Sequence, residues 1–193
     1  MARSKEFDED AVLLKAMRLF WEQGYEKTSM SDLVEHMGVH KRSLYDTFGD
    51  KRSLYLKALQ RYGKMMEERR SRYDHLSATA ALRLLLERAI KPSDEDAPKG
   101  CLLVNTAVEL ALVDDSCRDW VNQRITSTEQ LIQGWITAGQ QSGELDPALD
   151  AQKLSYYFNN TFVGLRVLAK ATDDKEKLQS IIEMTMSVLT SKR

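Results

Sequence analysis

The segment from Gly38 to Lys51 constrains this chain more than any other part of its sequence. It contains a glycine that ends one helix, a short cationic helix, and a Gly-Asp pair that begins another helix. This arrangement is typical of a helix-turn-helix, whose second helix enters the major groove of DNA. The segment therefore predicts a DNA-binding protein, and the remaining residues should control that binding.

The composition predicts a protein made of helices. Of the 193 residues, 42% are hydrophobic and 30% are charged, which suits a folded chain rather than a disordered one. Proline (3) and glycine (9) are scarce, and no alternating strand pattern or internal repeat occurs. We therefore expect an all-α protein, with an N-terminal helix-turn-helix joined by a long helix to a helical C-terminal domain, about nine helices in total.

Helix start and stop signals surround the opening segment. A first helix is expected over 8–23, and Ser29 is the predicted N-cap of a second, with Asp32 completing a variant of the capping box. A third helix opens at His40 or Lys41, and a fourth runs from Asp50 to about residue 73. Apolar periodicity predicts five further helices, over about 78–90, 101–113, 117–141, 148–171 and 175–189, with an acidic loop over 92–100.

Positive charge is concentrated in this part of the chain. Residues 40–73 contain ten Lys and Arg against four Asp and Glu, a net charge of +6, although the whole chain has a formal net charge of -1. A basic segment on an otherwise acidic protein suits contact with phosphate. The alternative is a solvated helix face without a binding role.

The third helix contains both anchoring and exposed positions. Leu44 and Phe48 lie one turn apart and are expected to pack inward, leaving the other side chains free to contact DNA. Arg42 is a candidate for a bidentate pair with guanine, which contributes about 1–3 kcal/mol of discrimination. The predicted DNA-contacting residues are Thr28, His40, Lys41, Arg42, Ser43, Tyr45, Thr47 and Lys51.

A longer pattern surrounds the third helix. It reads Ala16-x3-Phe20-x3-Gly24-Tyr25-x2-Thr28-Ser29-Met30-x2-Leu33-Val34-x3-Gly38-Val39, then Ser43-Leu44-Tyr45-x2-Phe48-x2-Lys51. Over residues 8–55 this pattern resembles the DNA-binding head of the TetR family of bacterial transcriptional repressors. His40 and Arg42 depart from it, because the family often has Ser or Thr and Gly or Ala there. The DNA contacts that the resemblance implies are Thr28, Lys41, Ser43, Tyr45 and Lys51; His40, Arg42 and Thr47 are added from their positions.

The resemblance also implies a function and a domain arrangement. Residues 1–55 would form the DNA-binding domain, and residues 56–193 a helical ligand-binding and dimerisation domain. The protein would be a homodimeric repressor that binds a palindromic double-stranded operator and is released by a small-molecule effector. The alternative from another class is a helical small-molecule-binding protein or enzyme that does not bind DNA.

Polar and aromatic residues within apolar helices are candidates for effector binding. They are Cys101, Asn105, Glu109, Trp120, Arg124, Trp135, Tyr157 and Phe158. An aromatic lining predicts an apolar or aromatic effector, whereas the alternative is that these polar groups satisfy one another in the core. Cys101 follows a glycine at a predicted helix start, where a thiol is often reactive, so it is either a redox or electrophile sensor or an ordinary small apolar residue.

The last two predicted helices are candidates for the dimer interface, because each has apolar residues on more than one side. Their apolar residues are Phe158, Phe162, Val163, Leu165, Val167 and Leu168 around Gly164, and Ile181, Ile182, Met184, Met186 and Leu189. The alternative is that these residues pack within one protomer.

The sequence contains no motif for catalysis, a metal or a cofactor. His36 and His40 have the spacing of a zinc pair, but Gly38 separates them and no third ligand is near. The two cysteines do not form a disulfide framework, and neither a signal peptide nor a membrane-spanning apolar run is recognisable. We therefore expect a cytoplasmic protein that is not an enzyme and has no membrane partner.

Overall fold

The computed structural model describes residues 7–91, 98 and 100–190. These residues form nine α-helices and one 3-10 helix without a strand, which confirms the all-helical prediction. The helices are α1 (Glu9–Gln23), α2 (Met30–Met37), α3 (Lys41–Phe48), α4 (Lys51–Glu68), the 3-10 helix (Arg69–Tyr73), α5 (Ala78–Ile90), α6 (Leu102–Leu110), α7 (Asp115–Gln141), α8 (Ala151–Ala171) and α9 (Lys175–Ser187). Most of the predicted acidic loop lies outside the described residues.

Side chains close to each helix end explain where the first helices begin and stop. Ser29 and Asp32 form the predicted capping box, because the Asp32 amide donates to Ser29 Oγ (3.1 Å) and the Ser29 amide donates to Asp32 Oδ2 (2.8 Å). Gly38 ends α2 in the left-handed region, at φ 70°. Asp50 begins α4 by accepting from the Ser53 amide at 2.7 Å.

The fourth helix differs from its prediction. It ends as an α-helix at Glu68 and continues as the 3-10 helix to Tyr73. No glycine or proline marks this change, so apolar periodicity extends the predicted helix through it. Because a 3-10 helix has 3.0 residues per turn rather than 3.6, the side chains after Glu68 point in different directions from those of a continuous α-helix.

The helices enclose two hydrophobic cores. The first core joins α1 to α4 with α6 and the start of α7, since Leu102, Leu110 and Cys117 are buried in it. The second joins α5, α7, α8 and α9. Helix α6 therefore packs with the N-terminal helices as well as with α7. None of the helices in the described ranges has both the length and the apolar character needed to cross a membrane.

Candidate functional site

Helix α3 is held on the protein surface by the two predicted anchors. Leu44 is completely buried and Phe48 is 4% exposed, both within the first core. The half-buried Val39 packs against the same core just before the helix begins. This anchoring fixes the angle between α2 and α3 and leaves one long side of α3 open to solvent.

The open side of α3 presents the side chains that reach farthest from the protein. Lys41, Arg42 and Tyr45 are exposed, and Ser43 and Thr47 lie half-buried at its flanks. Arg42 Nε lies 3.7 Å from Asp46 Oδ2, one turn along the helix. Asp46 is not among the predicted DNA-contacting residues, although its (i, i+4) spacing from Arg42 indicates this pairing. His40 is exposed before the helix and makes no side-chain capping bond.

Lys51 lies at the edge of this surface in a defined position. Its Nζ lies 4.3 Å from the centre of the Tyr25 ring and donates to the Glu26 carbonyl at 3.4 Å. Both partners belong to the connection between α1 and α2. A cation–π contact and one hydrogen bond thus direct the ammonium group across the start of α4, where free backbone amides also favour an anion.

Thr28 does not have the position expected of a phosphate donor. Its side chain is completely buried, and its hydroxyl donates to the Gly24 carbonyl at 2.6 Å. The residues after α1 fold back on the end of that helix, which directs Thr28 into the protein. The hydroxyl therefore stabilises the connection from α1 to α2 instead of extending toward a ligand.

A cavity of about 140 Å³ lies between α4, the 3-10 helix and helices α5 to α8. Its lining is mainly apolar in area but contains several arginines. The lining residues are Tyr62, Met66, Glu67, Arg69, Arg70, Arg72, Tyr73, Leu85, Arg88, Cys101, Leu103, Arg124, Ile125, Thr128, Leu131, Asn159, Phe162, Val163 and Arg166. Cys101 and Arg124 are the two predicted effector-binding residues among them.

The other six predicted residues lie elsewhere. Trp120 and Trp135 pack their rings against Tyr62 and Tyr73 from outside the lining. Phe158 is completely buried in the second core, and Tyr157 is 42% exposed on α8. The apolar pattern correctly indicated buried helices, but it did not indicate which side of each helix faces the cavity.

The polar residues of α6 contact the N-terminal helices instead. Asn105 Nδ2 donates to the Trp21 carbonyl at 3.0 Å, near the end of α1. The Glu109 carboxylate accepts from the Glu26 amide at 2.9 Å. Since Cys101 and Leu103 line the cavity at the start of the same helix, α6 connects the cavity directly to the α1–α2 connection.

Cys101 lies inside the cavity wall rather than at an open surface. It is 8% exposed, and its Sγ lies 3.6 Å from the Tyr62 hydroxyl. Burial raises the pKa of that hydroxyl, and the neighbouring Cys101 adds to the rise. The Tyr62 hydroxyl is thus neutral near pH 7. Within the described ranges, no three His, Cys, Asp or Glu side chains come together as metal ligands.

The cavity is strongly basic, which the sequence analysis did not predict. Arg69, Arg70 and Arg72 belong to the positive run that was assigned to phosphate contact, yet all three line this cavity. Arg88, Arg124 and Arg166 come from α5, α7 and α8. Gly63 makes room for the Arg124 guanidinium group, because a Cβ on residue 63 would lie only 3.3 Å from Arg124 Nη1.

The outer side of α8 presents a different surface. Tyr156 and Val167 are about half exposed, and a Cβ on Gly164 would meet no atom within 4 Å. On α9, Met184 is 70% exposed. Most of the other apolar residues predicted for the interface pack inside the protomer, since Phe158, Leu165, Ile182, Met186 and Leu189 are all buried.

Two family models match the chain. Residues 12–58 match the model described as "Bacterial regulatory proteins, tetR family", and residues 78–185 match "Tetracyclin repressor-like, C-terminal domain". The first match covers α3 and its supports, and the second covers most of the cavity and the outer surface of α8.

Curated relatives match over almost the whole chain. The uncharacterized HTH-type transcriptional regulator YezE of Bacillus subtilis (strain 168) is 32% identical over 98% of this chain and 100% of its own length. The HTH-type transcriptional repressor ComR of Escherichia coli (strain K12) is 30% identical over 95% of this chain and 90% of its own. One similar solved structure is a cysteine mutant of the TetR family transcriptional regulator CifR, complexed with 26-base-pair double-strand operator DNA. It superposes with a TM-score of 0.86 at 29% identity, and the match covers 97% of this chain and 100% of that chain.

Proposed function

The chain belongs to the TetR family of bacterial transcriptional regulators, and from that membership we propose that it is a homodimeric repressor released from its operator by a small molecule. The observation that carries this proposal is the surface of α3. A helix anchored by Leu44 and Phe48 presents Lys41, Arg42 and Tyr45 on its open side. This arrangement matches a recognition helix in the major groove.

The proposed contacts divide into two classes. Tyr45 and Lys51 bind phosphate, because both are long side chains with a donor at the tip, and Lys51 also lies at the start of α4. Arg42 reads a base, because its exposed side chain is free to leave Asp46 for the bases of the major groove. His40, Lys41, Ser43 and Thr47 complete the proposed surface, and Thr28 acts only through the α1–α2 connection.

The proposed regulation uses the cavity and helix α6. Residues 1–55 contain the DNA-binding surface, and residues 56–193 contain the cavity and the dimer face. An effector in the cavity contacts the end of α4 and the start of α6. Helix α6 in turn bonds to the end of α1 through Asn105 and to the α1–α2 connection through Glu109. The effector must bind the released conformation more tightly than the operator-bound one.

The test is operator binding measured against salt. Fluorescence anisotropy with intergenic DNA from beside the gene should show a Kd that rises steeply with salt, because each neutralised phosphate releases counterions. Lys51→Ala should weaken all sequences alike and reduce the salt slope by about 1. Arg42→Ala should instead relax the preference at one base pair, by roughly 10-fold or more.

Lys91→Ala is the matched control for these variants. Lys91 is exposed at the end of α5, a helix that packs on α7, α8 and α9 rather than on α3. Its loss should leave both the Kd and the salt slope unchanged. Binding that does not depend on salt, or an Arg42→Ala variant with unchanged sequence preference and a reduced slope, would contradict the assigned roles. No binding to any flanking DNA at low salt would favour the small-molecule-binding protein without DNA activity.

A further inference from the structure

The charge inside the cavity is unbalanced. Six arginines line it, and Glu67 is the one acidic side chain in its described lining. Glu67 is already paired, since its Oε1 lies 2.5 Å from Arg124 Nη1. Within the described ranges, neither Arg88 nor Arg166 forms an ion pair with a carboxylate. A partly enclosed site with this excess of positive charge attracts an anion.

Burial makes that imbalance costly. Arg166 is 9% exposed, and its Nη1 donates to the Gly100 carbonyl at 3.2 Å, but its Nε has no hydrogen-bond partner in the described structure. The Nε atoms of Arg88 and Arg124 are likewise buried without a partner there. Buried polar groups are nearly always hydrogen-bonded, and a buried charge without a counter-charge is strongly unfavourable. Three unpartnered Nε atoms around one cavity, two of them on Arg88 and Arg166, which have no carboxylate partner in the described ranges, indicate a site built for an acceptor that carries negative charge.

Tyr73 lines the cavity together with Arg69, Arg72, Arg88 and Arg166. Burial raises the pKa of the Tyr73 hydroxyl, and Arg88, Arg166, Arg72 and Arg69 all act against that rise. Tyr73 therefore offers the cavity a hydroxyl donor in addition to the arginines.

The rest of the lining is largely apolar. It includes Met66, Leu85, Ile125, Leu131, Phe162 and Val163, and the Arg166 guanidinium carbon lies 5.3 Å from the centre of the Phe162 ring. The volume of the whole cavity, about 140 Å³, is close to the ~150 Å³ of an engineered cavity that accommodates benzene. The cavity therefore has room for about one ring or a short alkyl chain, next to the arginines.

We propose that this cavity binds a small organic carboxylate, whose charged group is held by Arg88 and Arg166 and whose apolar body packs against Phe162 and its neighbours. The role of such a ligand as the effector rests on the function proposed above, but its binding does not. The sequence predicted an apolar or aromatic effector. The proposed ligand keeps the apolar body of that prediction and adds a negative charge that is essential for binding. Arginine suits this role, since its planar donors match the two oxygens of a carboxylate.

The experiment compares charged and neutral probes of the same shape on the full-length protein. Benzoate, phenylacetate and hexanoate are each measured against the corresponding primary amide, at matched ionic strength, by thermal shift and calorimetric titration. Inorganic phosphate is the control for a charge without an apolar body. We expect at least one carboxylate to raise Tm and to bind at least 10-fold more tightly than its amide and than phosphate.

Substitutions locate the site. Arg88→Gln and Arg166→Gln should each weaken carboxylate binding by about 10-fold or more while leaving amide binding unchanged. Arg83→Gln is the matched control, because Arg83 is on α5 like Arg88 but pairs with Glu183 outside the cavity. If Arg166→Gln does not fold, carboxylate binding by Arg88→Gln still tests the proposal, because Arg88 is less buried than Arg166.

Three outcomes overturn the proposal: no stabilisation by any of the three carboxylates, equal binding of carboxylates and amides, or unchanged carboxylate binding in Arg88→Gln. Tight binding of phosphate alone also overturns it, since the apolar wall would then have no role. Operator binding by the unliganded protein is measured separately. Salt-dependent operator binding without carboxylate binding contradicts this inference alone, whereas carboxylate binding without operator binding contradicts the proposed repressor alone.

Discussion

At the scale of single residues, Asp114 both caps a helix and pairs with Arg52, whose Nη2 also donates to Asp114 Oδ1 at 3.1 Å. Its Oδ1 accepts from the Cys117 amide at 3.1 Å and caps α7. Its Oδ2 lies 2.5 Å from Arg52 Nε, so the start of α7 is tied to α4. The hydrogen bond from Arg52 lowers the pKa of Asp114 to about 2. The ion pair and the cap are separable, because asparagine caps a helix about as well as aspartate does.

Asp114→Asn and Asp114→Ala should therefore differ. Asn keeps the cap and loses the ion pair, which costs less than about 1 kcal/mol at a partly exposed site. Ala loses both, which adds about 1 kcal/mol. Urea unfolding of the three proteins measures these differences, and equal costs for the two variants would show that the cap contributes nothing.

The ion pair also has a defined pH dependence. The folded pKa of Asp114 is below its unfolded value of about 3.9, so its stabilisation is fully present above roughly pH 5 and is lost as pH falls toward 2. The difference in unfolding free energy between the native protein and Asp114→Asn should be constant from pH 5 to 8 and decrease below pH 4. A difference that grows on acidification would contradict the assignment.

Residues whose role depends on near neighbours were predictable from the sequence. Ser29, Gly38 and Asp50 act within three residues of their partners, and Leu44 and Phe48 follow from helical spacing. Thr28 was not predictable, because its burial depends on how the chain folds back after α1. The arginines of the cavity were not predictable either, because they come from different elements and meet only in the folded protein.

At the scale of elements, α6 is short but makes contacts at both of its ends. Nine residues span about 13.5 Å at 1.5 Å per residue. Cys101, its N-cap, lines the cavity, and Glu109 near its C-terminus reaches the α1–α2 connection. The sequence predicted this helix with a longer C-terminal end and interpreted its polar residues as effector ligands. Polarity alone does not distinguish a side chain that binds a ligand from one that binds a neighbouring helix.

The contact of α6 with the head can be measured through Gly24. Gly24 has φ 87°, and a Cβ there would overlap the Glu109 carboxylate. Gly24→Ala should therefore destabilise the protein through backbone strain of about 1–3 kcal/mol and through that overlap. Glu109→Ala removes the overlap, so the double variant should be less destabilised than the sum of the two single variants.

Gly143→Ala is the control for this double-mutant cycle of Gly24→Ala and Glu109→Ala. Gly143 also has a positive φ, of 78°, but a Cβ there meets nothing within 4 Å. Its substitution should cost backbone strain alone and should be additive with Glu109→Ala. Additivity in the Gly24 cycle would mean that Glu109 does not contact the end of α1 in solution.

The whole molecule has an apolar surface on α8 and α9 that suits the proposed second copy of the chain, which the proposed palindromic operator would require. Tyr156, Val167 and Met184 are exposed there, and Gly164 lies on the same side of α8 with open space beyond its Cα. The sequence predicted this pair of helices for the interface, and the Gly164→Glu variant tests that prediction. The sequence did not separate these outward residues from the buried ones, because both sides of α8 contain apolar residues.

Gly164→Glu tests the dimer. It adds a charged side chain without a clash in the protomer, so the monomer should keep its helix content while the interface would have to bury an unpaired charge. We expect a shift from dimer to monomer in sedimentation velocity. Gly134→Glu is the control on α7, because its Cβ also meets no atom within 4 Å. A dimer that persists in Gly164→Glu would place the interface elsewhere.

The few hydrogen bonds between α6 and the N-terminal helices limit the coupling free energy between the effector and the operator in the proposed switch. The described hydrogen bonds of α6 to the α1–α2 connection and to the end of α1 are those of Glu109 and Asn105, and each contributes about 0.5–1.5 kcal/mol. Coupling free energies of about 1–3 kcal/mol change affinity by roughly 5- to 150-fold. Linkage is reciprocal, so the operator-bound protein would need an effector concentration higher by the same factor than the free protein. The threshold for induction would then be set by occupancy of the operator and not by the affinity of the cavity alone.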